Sequence, residues 1–472
     1  MAGETIFKGM SKSEFDVVII GGGSGGYAAA RTVAAAGKHT AVIEGAREMG
    51  GLCILRGCMP TKALLYAAEI RHLASEAGTW GISTGKVGHD FKKVMARKNA
   101  QIRDFAGYRQ RQLEKGAFQL IRDSARFCGP QTLELSSGKK IKARHVVVAT
   151  GSIVAPPPIP SLKERGYWTS DDAINLKTLP KSLLILGGGA IACEFAQFFA
   201  RFGVKVTLLQ RSEHVLKSFD TEASIVVEDV FRKEGIEVFT QTRLLEATRS
   251  PSGKRVTFEA SGKKITRKAD EILFALGRKP ATDHLNLKAA GVKTDAQGRI
   301  LTNSMMRTSC PTIFAAGDCT SPHEIVHLAV TQGEVAGHNI LNPGQPRRMD
   351  YKLLISVAFT DPTAAMVGMT EKEARSAGID CISAQYPFDD HGKSLLMEAK
   401  SGFVKLIANA RTGKIIGGAC VGPQGGELIH EIVVAMAGGL TVHQLAATPH
   451  YHPTLAEIWT YPAEELAARV PR

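Results

Sequence analysis

Hydrophobic positions along the chain gather into short unbroken runs, and most of these run straight into glycine clusters. Runs of four to eight apolar residues bounded by turn signals suit strands that are buried on both faces. The first, FDVVII at 15–20, leads into GGGSGG, then a helical stretch YAAARTVAAAG, then a second run, HTAVIE, that stops at Glu44. A long polar stretch, roughly 63–121, reads as helix, and a β segment closes on HVVVATG with Thr150 and Gly151. PPPIP at 156–160 reads as a linker, because consecutive prolines continue neither a helix nor a central strand. From Ser182 the opening pattern returns: LLILGGGAIACEFAQFFARFG is again strand, glycine turn and helix, followed by KVTLL. DEILFALGRKP (270–280) and PTIFAAGDCT (311–320) supply two further strands, and Glu324 to Leu341 reads as a helix. From about 350 the pattern turns antiparallel: FVKLIANARTGKIIGGACVG holds two strands around the turn Arg411-Thr412-Gly413, with helical segments after it.

The two glycine turns carry the first chemistry. Gly21, Gly23 and Gly26 stand in G-x-G-x-x-G spacing between a strand and a helix. That pattern allows a tight turn, lets the backbone approach a pyrophosphate, and points a helix N-terminus at it. Glu44 lies eighteen residues after Gly26, where a carboxylate can accept from the hydroxyls of an adenosine ribose. In the second copy Gly187, Gly189 and Ala192 hold the three positions, but the strand ends in Gln210, followed by Arg211, Ser212 and Lys217. Losing the acid and gaining cations suits a 2′-phosphate, so NADP(H) is favoured over NAD(H). The expected fold is α/β, with two Rossmann-like dinucleotide-binding domains and a C-terminal α+β domain.

Composition narrows this little. The chain of 472 residues is 44% hydrophobic and has no apolar run near the ~20 residues of a membrane span. MAGETIFKGMSKSEF has no apolar core or cleavage site of a secretory signal, so a cytoplasmic protein is expected. The formal charge of +14 is spread along the chain, with small clusters such as Arg109–Arg111 and no nucleic-acid-binding motif. It reads as a solvated basic surface, and neither nucleic acid nor membrane is expected as a partner.

Eight cysteines are present, six of them scattered singly and without zinc-ligand spacing, so no metal site is expected. The exception is GGLCILRGCMPTK, which holds Cys53 and Cys58. On an ideal helix a five-residue step leaves the second thiol about 140° from the first, so the pair could close only if the helix start were distorted. Gly57 permits that, and Pro60 suits a helix's first turn. Two readings stand here: a redox pair with a thiol activated by a helix N-terminus, or two buried core cysteines. At the other end of the chain, His452 with Glu457 five residues on is either a structural histidine or a general acid–base oriented by a carboxylate. Asp318, after Gly317 at the end of a strand, is either a turn residue or an acid for a sugar hydroxyl.

Taken together, GGGSGG with Glu44, GGLCILRGCMPTK, the second fingerprint, ALGRKP, AAGDCT and HPTLAE occur in one order. In that order they resemble the pyridine nucleotide–disulfide oxidoreductases of the dihydrolipoamide dehydrogenase and glutathione reductase type. The resemblance implies an FAD-binding domain at 1–155 (1–14 an extension), an NAD(P)-binding domain at 156–278, a central domain at 279–349 and an interface domain at 350–472. It implies a homodimer whose active site is shared between chains, with a small disulfide or dithiol as substrate. It makes Cys58 the thiol beside the flavin and Cys53 the thiol that exchanges with substrate. His452 and Glu457 become the acid–base pair, and Lys62 the lysine near the flavin with Glu194 as its ion-pair partner. Cofactor-binding positions carried over are Gly21, Gly23, Ser24, Gly26, Glu44, Gly51, Thr150, Gly151, Gly317 and Asp318. The helix opening at His327, Leu328 and Ala329 joins them, as do Gly187, Gly189, Arg211, Lys217, Gly277 and Arg278.

Departures bear on substrate. Ser24 and Arg31 match positions that glutathione reductases place near theirs, yet Glu334 stands where those enzymes carry a glutathione-binding arginine. Tyr27 and the HPTL run are similar to dihydrolipoamide dehydrogenases, and Ala190 replaces the aromatic lid of many reductases. The expected enzyme is an FAD-dependent, dihydrolipoamide dehydrogenase-like oxidoreductase. The alternative is an NADPH-dependent reductase of glutathione-type disulfides or of a metal ion.

Overall fold

A computed structural model describes residues 14–250 and 253–471. All but the last residue of the expected N-terminal extension lie outside that range. The chain divides into two compact units.

The first comprises Met1–Thr61, Ala96–Pro156 and Gly277–Asp350. Its sheet has seven strands among the described residues, in the order Gln119–Ile121, Thr40–Ile43, Glu14–Ile20, Lys140–Val148, Thr132–Leu135, Ala125–Gly129, with Ile313–Ala315 also on Lys140–Val148. The first four and Ile313–Ala315 run parallel, and the remaining pairs antiparallel. Val17, Val18 and Ile19 are wholly buried, as a parallel strand covered on both faces requires. Helix Ser24–Ala35 packs against helix Val326–Leu341, and glycines set the spacing. A Cβ on Gly333 would lie 2.1 Å from the Gly25 carbonyl oxygen, so no larger residue fits there.

The second unit comprises Lys62–Met95, Pro157–Leu276 and Tyr351–Arg472. It holds a parallel four-stranded sheet in the order Glu237–Phe239, Lys205–Leu209, Ser182–Leu186, Glu271–Phe274. A three-stranded antiparallel sheet spans Arg243–Ala269. The third sheet is five-stranded and antiparallel, in the order Ile355–Ala358, Thr363–Gly368, Ile415–Gly422, Phe403–Asn409, Cys381–Pro387. The expected hairpin around Arg411-Thr412-Gly413 is the Phe403–Asn409 and Ile415–Gly422 pair. Helices Gly425–Ala437 and Thr460–Arg469 cover that sheet around the buried Phe388 and Trp459.

Two expectations need correction. The long helical stretch is two helices, Cys58–Glu76 and Phe91–Glu114, and the chain turns to strand at Gln119. Gly78, Gly81, Gly85 and Gly88 fall between them, and Gly81 takes the left-handed conformation that ends the short turn Ala77–Trp80. The later helix begins at Val326 rather than Glu324, after an extended Ile325.

Candidate active site

In the first unit the turn after strand Glu14–Ile20 is shaped by its glycines. Gly21 has φ +103°, and a Cβ there would sit 2.4 Å from the Ala149 carbonyl oxygen. A Cβ on Gly26 would collide with the Gly21 carbonyl oxygen, and one on Gly51 (φ +72°) would lie 2.9 Å from the Gly23 Cα. Gly23 precedes the helix that Ser24 begins. Glu44 is nearly buried; its Oε2 accepts from the Gly22 N–H (2.9 Å) and its Oε1 from the Ala46 N–H (2.8 Å). Each oxygen keeps a further lone pair for a sugar hydroxyl.

The same unit holds the other carried-over positions, with the Ala329 carbonyl oxygen 2.9 Å from where a Cβ on Gly25 would lie. Asp318 Oδ2 accepts from the Ser152 hydroxyl at 2.7 Å, and Arg278 clamps Ser152 through both its hydroxyl (2.8 Å) and its carbonyl (2.7 Å). Gly317 donates its N–H to the buried Gln332 at 2.8 Å. Leu328 and Ala329 are buried in the first turn of helix Val326–Leu341, and His327 is exposed there. Gly151 and Gly277 both take positive φ, at +70° and +113°. The Thr150 hydroxyl is buried and has no hydrogen-bond partner. A backbone cradle without side-chain bulk, a paired carboxylate and an orphaned hydroxyl together fit a dinucleotide such as FAD.

Cys53 and Cys58 do not share one helix. A short helix, Gly51–Leu55, ends at Arg56 (φ −142°), and a new helix starts at Cys58. Gly57 joins them with little room: a Cβ there would lie 3.1 Å from the Leu52 carbonyl oxygen. The break removes the 140° disagreement that an ideal helix imposes, and it puts Cys58 on a helix N-terminus, where a thiolate is favoured. Both cysteines are half-buried, whereas Cys193, Cys310, Cys319 and Cys420 are buried. Burial pushes the Cys193 and Cys420 thiols far up and that of Cys319 up to about 11, so none of these three supplies thiolate at neutral pH.

In the sequence Arg109 reads only as part of a basic cluster. Its guanidinium lies 4.3 Å over the Tyr27 ring, and its Nη1 is buried without a hydrogen-bond partner. Burial lowers its pKa, opposed chiefly by Tyr27 and Tyr108. Arg31, by contrast, is ion-paired to Glu334.

In the second unit the glycine turn recurs. Gly187 has φ +115°, with a would-be Cβ 2.3 Å from the Ala275 carbonyl oxygen, and helix Ala190–Arg201 follows Gly189. Gln210 is buried; its Oε1 accepts from the Arg211 N–H at 3.0 Å and its Nε2 donates to the His214 carbonyl at 3.3 Å. Arg211 and Lys217 are exposed. Glu194, 2% exposed, accepts from Lys62 Nζ with both oxygens at 2.9 Å and from the Phe359 N–H at 3.1 Å. Lys62 Nζ also lies 4.4 Å over the Phe359 ring. His452 Nδ1 is 2.9 Å from Glu457 Oε2; the imidazole is 77% exposed and the carboxylate nearly buried. Among the described residues no cluster of His, Cys, Asp and Glu could hold a metal, and no helix is long and apolar enough to cross a membrane.

Two dinucleotide-type turns, a cysteine pair at a helix break and a carboxylate-held histidine define a class: flavin- and nicotinamide-dependent disulfide oxidoreductases. Residues 15–333 match the pyridine nucleotide-disulphide oxidoreductase family and 354–463 match that family's dimerisation domain, so the chain belongs to this family. It is 34% identical over 455 residues to the dihydrolipoyl dehydrogenase of Geobacillus stearothermophilus, covering 96% of each chain. It is 33% identical over 445 residues to the mercuric reductase of Staphylococcus aureus, covering 94% of this chain and 81% of that one. A solved structure of the HOCl-induced flavoprotein disulfide reductase RclA from Escherichia coli superimposes with a TM-score of 0.84 at 27% identity, over 95% of this chain and 99% of that one. The protein is an FAD-dependent pyridine nucleotide–disulfide oxidoreductase with two Rossmann-like domains and a dimerisation domain.

Proposed function

We propose that the chain passes electrons between NADP(H) and a small disulfide or dithiol, in the manner of a dihydrolipoamide dehydrogenase, through Cys53 and Cys58. The observation that carries this reading is the helix break at Arg56 and Gly57, which gives the two sulfurs different settings. Bound FAD supplies two-electron exchange between nicotinamide and sulfur. The chain's own residues do the rest. Gly21, Gly23, Ser24, Gly26, Glu44, Gly51, Thr150, Gly151, Gly317 and Asp318 hold the flavin nucleotide, with the helix start at His327, Leu328 and Ala329. Gly187, Gly189, Arg211 and Lys217 hold the nicotinamide nucleotide, and Gly277 and Arg278 complete the cofactor positions. Lys62, fixed by Glu194, sits one helical turn after Cys58 and contributes positive charge near the electron path.

Cys58 is the flavin-side thiol. Cys53 attacks the substrate disulfide, and one substrate sulfur leaves as a thiolate that must gain a proton. Cys58 then displaces the second, restoring the Cys53–Cys58 disulfide. His452 supplies and takes up these protons: with Nδ1–H donated to Glu457, its exposed Nε2 is the proton-carrying atom. A homodimer in which His452 and Glu457 serve the partner's cysteines is supported by the dimerisation-domain match, which contains both residues. Tyr66, Ile70 and Leu73 add support: they leave an apolar stripe exposed on one face of helix Cys58–Glu76. The domains are placed at 1–155, 156–278, 279–349 and 350–472, and the protein in the cytoplasm.

The pairing of Arg31 with Glu334 bears on substrate. An arginine already neutralised by an acid is a poor site for the carboxylates of glutathione, which favours a lipoamide-like disulfide. The resemblance to mercuric reductases keeps a metal ion in the test. The test is anaerobic two-electron reduction of the holoenzyme. A long-wavelength thiolate–flavin band is expected and should vanish in Cys58→Ser; a band unchanged in that variant refutes the assignment. A panel of oxidised lipoamide, glutathione disulfide and Hg(II) with both nicotinamide nucleotides then ranks the substrates.

A further inference from the structure

Glu457 has a second histidine. Its Oε2 faces His452, and 3.4 Å from its Oε1 lies Nε2 of His391, a side chain with no exposed surface. His391 caps the short helix Gly392–Leu396 and comes from a stretch that the glycine and cysteine motifs do not touch. Its Nδ1 is 2.8 Å from the hydroxyl of the buried Ser394. Its Nε2 is buried, and among the described residues no group other than the Glu457 carboxylate is placed to pair with it.

The tautomer follows from these contacts. If Nδ1 held the proton, the Nε2 lone pair would point at a carboxylate oxygen with nothing to offset the repulsion. If Ser394 donates to Nδ1, Nε2 carries the proton and presents it to Glu457 Oε1. Burial lowers the His391 pKa, with Glu457 opposing, which favours the neutral ring and so leaves Nδ1 able to accept from Ser394. The other titratable groups packed around it are Tyr461, whose ring stands edge-on at 6.3 Å, and Tyr386, stacked on Tyr461 at 3.9 Å and hydrogen-bonded to Asp390. His452 faces it across Glu457.

We propose that His391 is a positioning residue: Ser394, His391 and Glu457 form one line of hydrogen bonds that fixes the carboxylate and, through it, the tautomer of His452. A carboxylate held at one oxygen only can rotate, and His452 would then exchange between two tautomers. Orienting partners of this kind lie outside the reacting groups yet set their geometry.

The inference rests on the reading of His452 as acid–base, and the two are tested apart. Disulfide turnover surviving in His452→Gln would remove that reading and leave the geometry of His391 standing. For His391 itself, nitrogen-15 histidine spectra of the holoenzyme report tautomers, with the His452 signal assigned by its loss in His452→Gln. Wild type should show a single His452 tautomer with Nδ1 protonated. His391→Phe should give a mixture of tautomers and a roughly tenfold lower kcat with little change in KM. His391→Gln, whose amide can reach Oε1, should restore the single tautomer. If His391→Phe does not fold, Ser394→Ala carries the test, because loss of the hydroxyl donor frees the His391 tautomer and should mix that of His452. An unchanged His452 tautomer in folded His391→Phe, or in Ser394→Ala where that alone folds, overturns the proposal.

Discussion

The chain contains the same supersecondary unit twice, and the two copies differ where it matters. Strand Glu14–Ile20 with helix Ser24–Ala35 and strand Ser182–Leu186 with helix Ala190–Arg201 turn through glycines of nearly equal dihedral, +103° at Gly21 and +115° at Gly187. In each, a carbonyl of a neighbouring strand end closes the space a side chain would need. Beyond that the copies part. Glu44 points both oxygens at backbone N–H groups beside the turn, while Gln210 ties its amide to Arg211 and His214 and leaves two basic side chains exposed. On the proposed reading, the turn geometry makes a phosphate cradle and the residue at the end of the second strand decides which adenosine it accepts.

The largest effect should come from breaking the first copy at its turn. Gly21→Ala adds a methyl 2.4 Å from a backbone carbonyl at a φ that L residues rarely adopt, so it should abolish flavin retention. Gly189→Ala is the control in the second copy, because a Cβ there meets nothing within 4 Å. Bound flavin per chain, read from absorbance, should be near zero in the first variant and unchanged in the second.

Next is the ion pair that the second copy's helix supplies. Lys62→Met leaves Glu194 buried against a single backbone N–H, and should destabilise the fold by roughly 3–5 kcal/mol in chemical denaturation. Adding Glu194→Gln should recover much of that, since an amide needs no counter-ion. A loss that persists in the double variant would show that the lysine matters for packing on Phe359 instead.

Specificity comes third. Arg211→Ala with Lys217→Ala should lower kcat/KM for NADPH about tenfold to a hundredfold, that is about 1.4–2.7 kcal/mol, and leave NADH nearly untouched. Gln210→Glu should move preference toward NADH. A strong NADH preference in the wild type would refute this reading of the second copy. Smallest is Glu44→Gln in the first copy: it keeps the shape and weakens flavin binding by about 1–2 kcal/mol, measured as the rate of flavin loss in mild denaturant.

Much of this comparison was legible in the sequence because each feature rests on local chemistry. A glycine turn between an apolar run and a helix, a terminal acid, and two cysteines five apart are all readable from neighbours along the chain. The cysteine stretch carries its own difficulty: an ideal helix would misalign the thiols, and in the structure one helix ends at Arg56 and another begins at Cys58. What stayed hidden depends on contacts between distant segments. Ser152 becomes a site residue only when Arg278 and Asp318 converge on it, 126 and 166 positions away. Glu334 looked like a missing arginine, and its partnership with Arg31, 303 positions earlier, needed two packed helices to become visible. High polarity does not mark where glycines interrupt the polar helix, so its length is not legible in the sequence, and His391 lies in no motif at all.

Electrons delivered through the nicotinamide copy are expected to come to rest on Cys53 and Cys58. The direct measurement is an anaerobic titration of the oxidised holoenzyme with one equivalent of NADPH, quenched with a thiol-alkylating reagent and mapped by mass spectrometry. Two electrons should convert one disulfide into two thiols, so two new alkylation sites per chain are expected, at Cys53 and Cys58, with the flavin absorbance largely retained. Bleached flavin with neither cysteine newly alkylated would contradict that expectation.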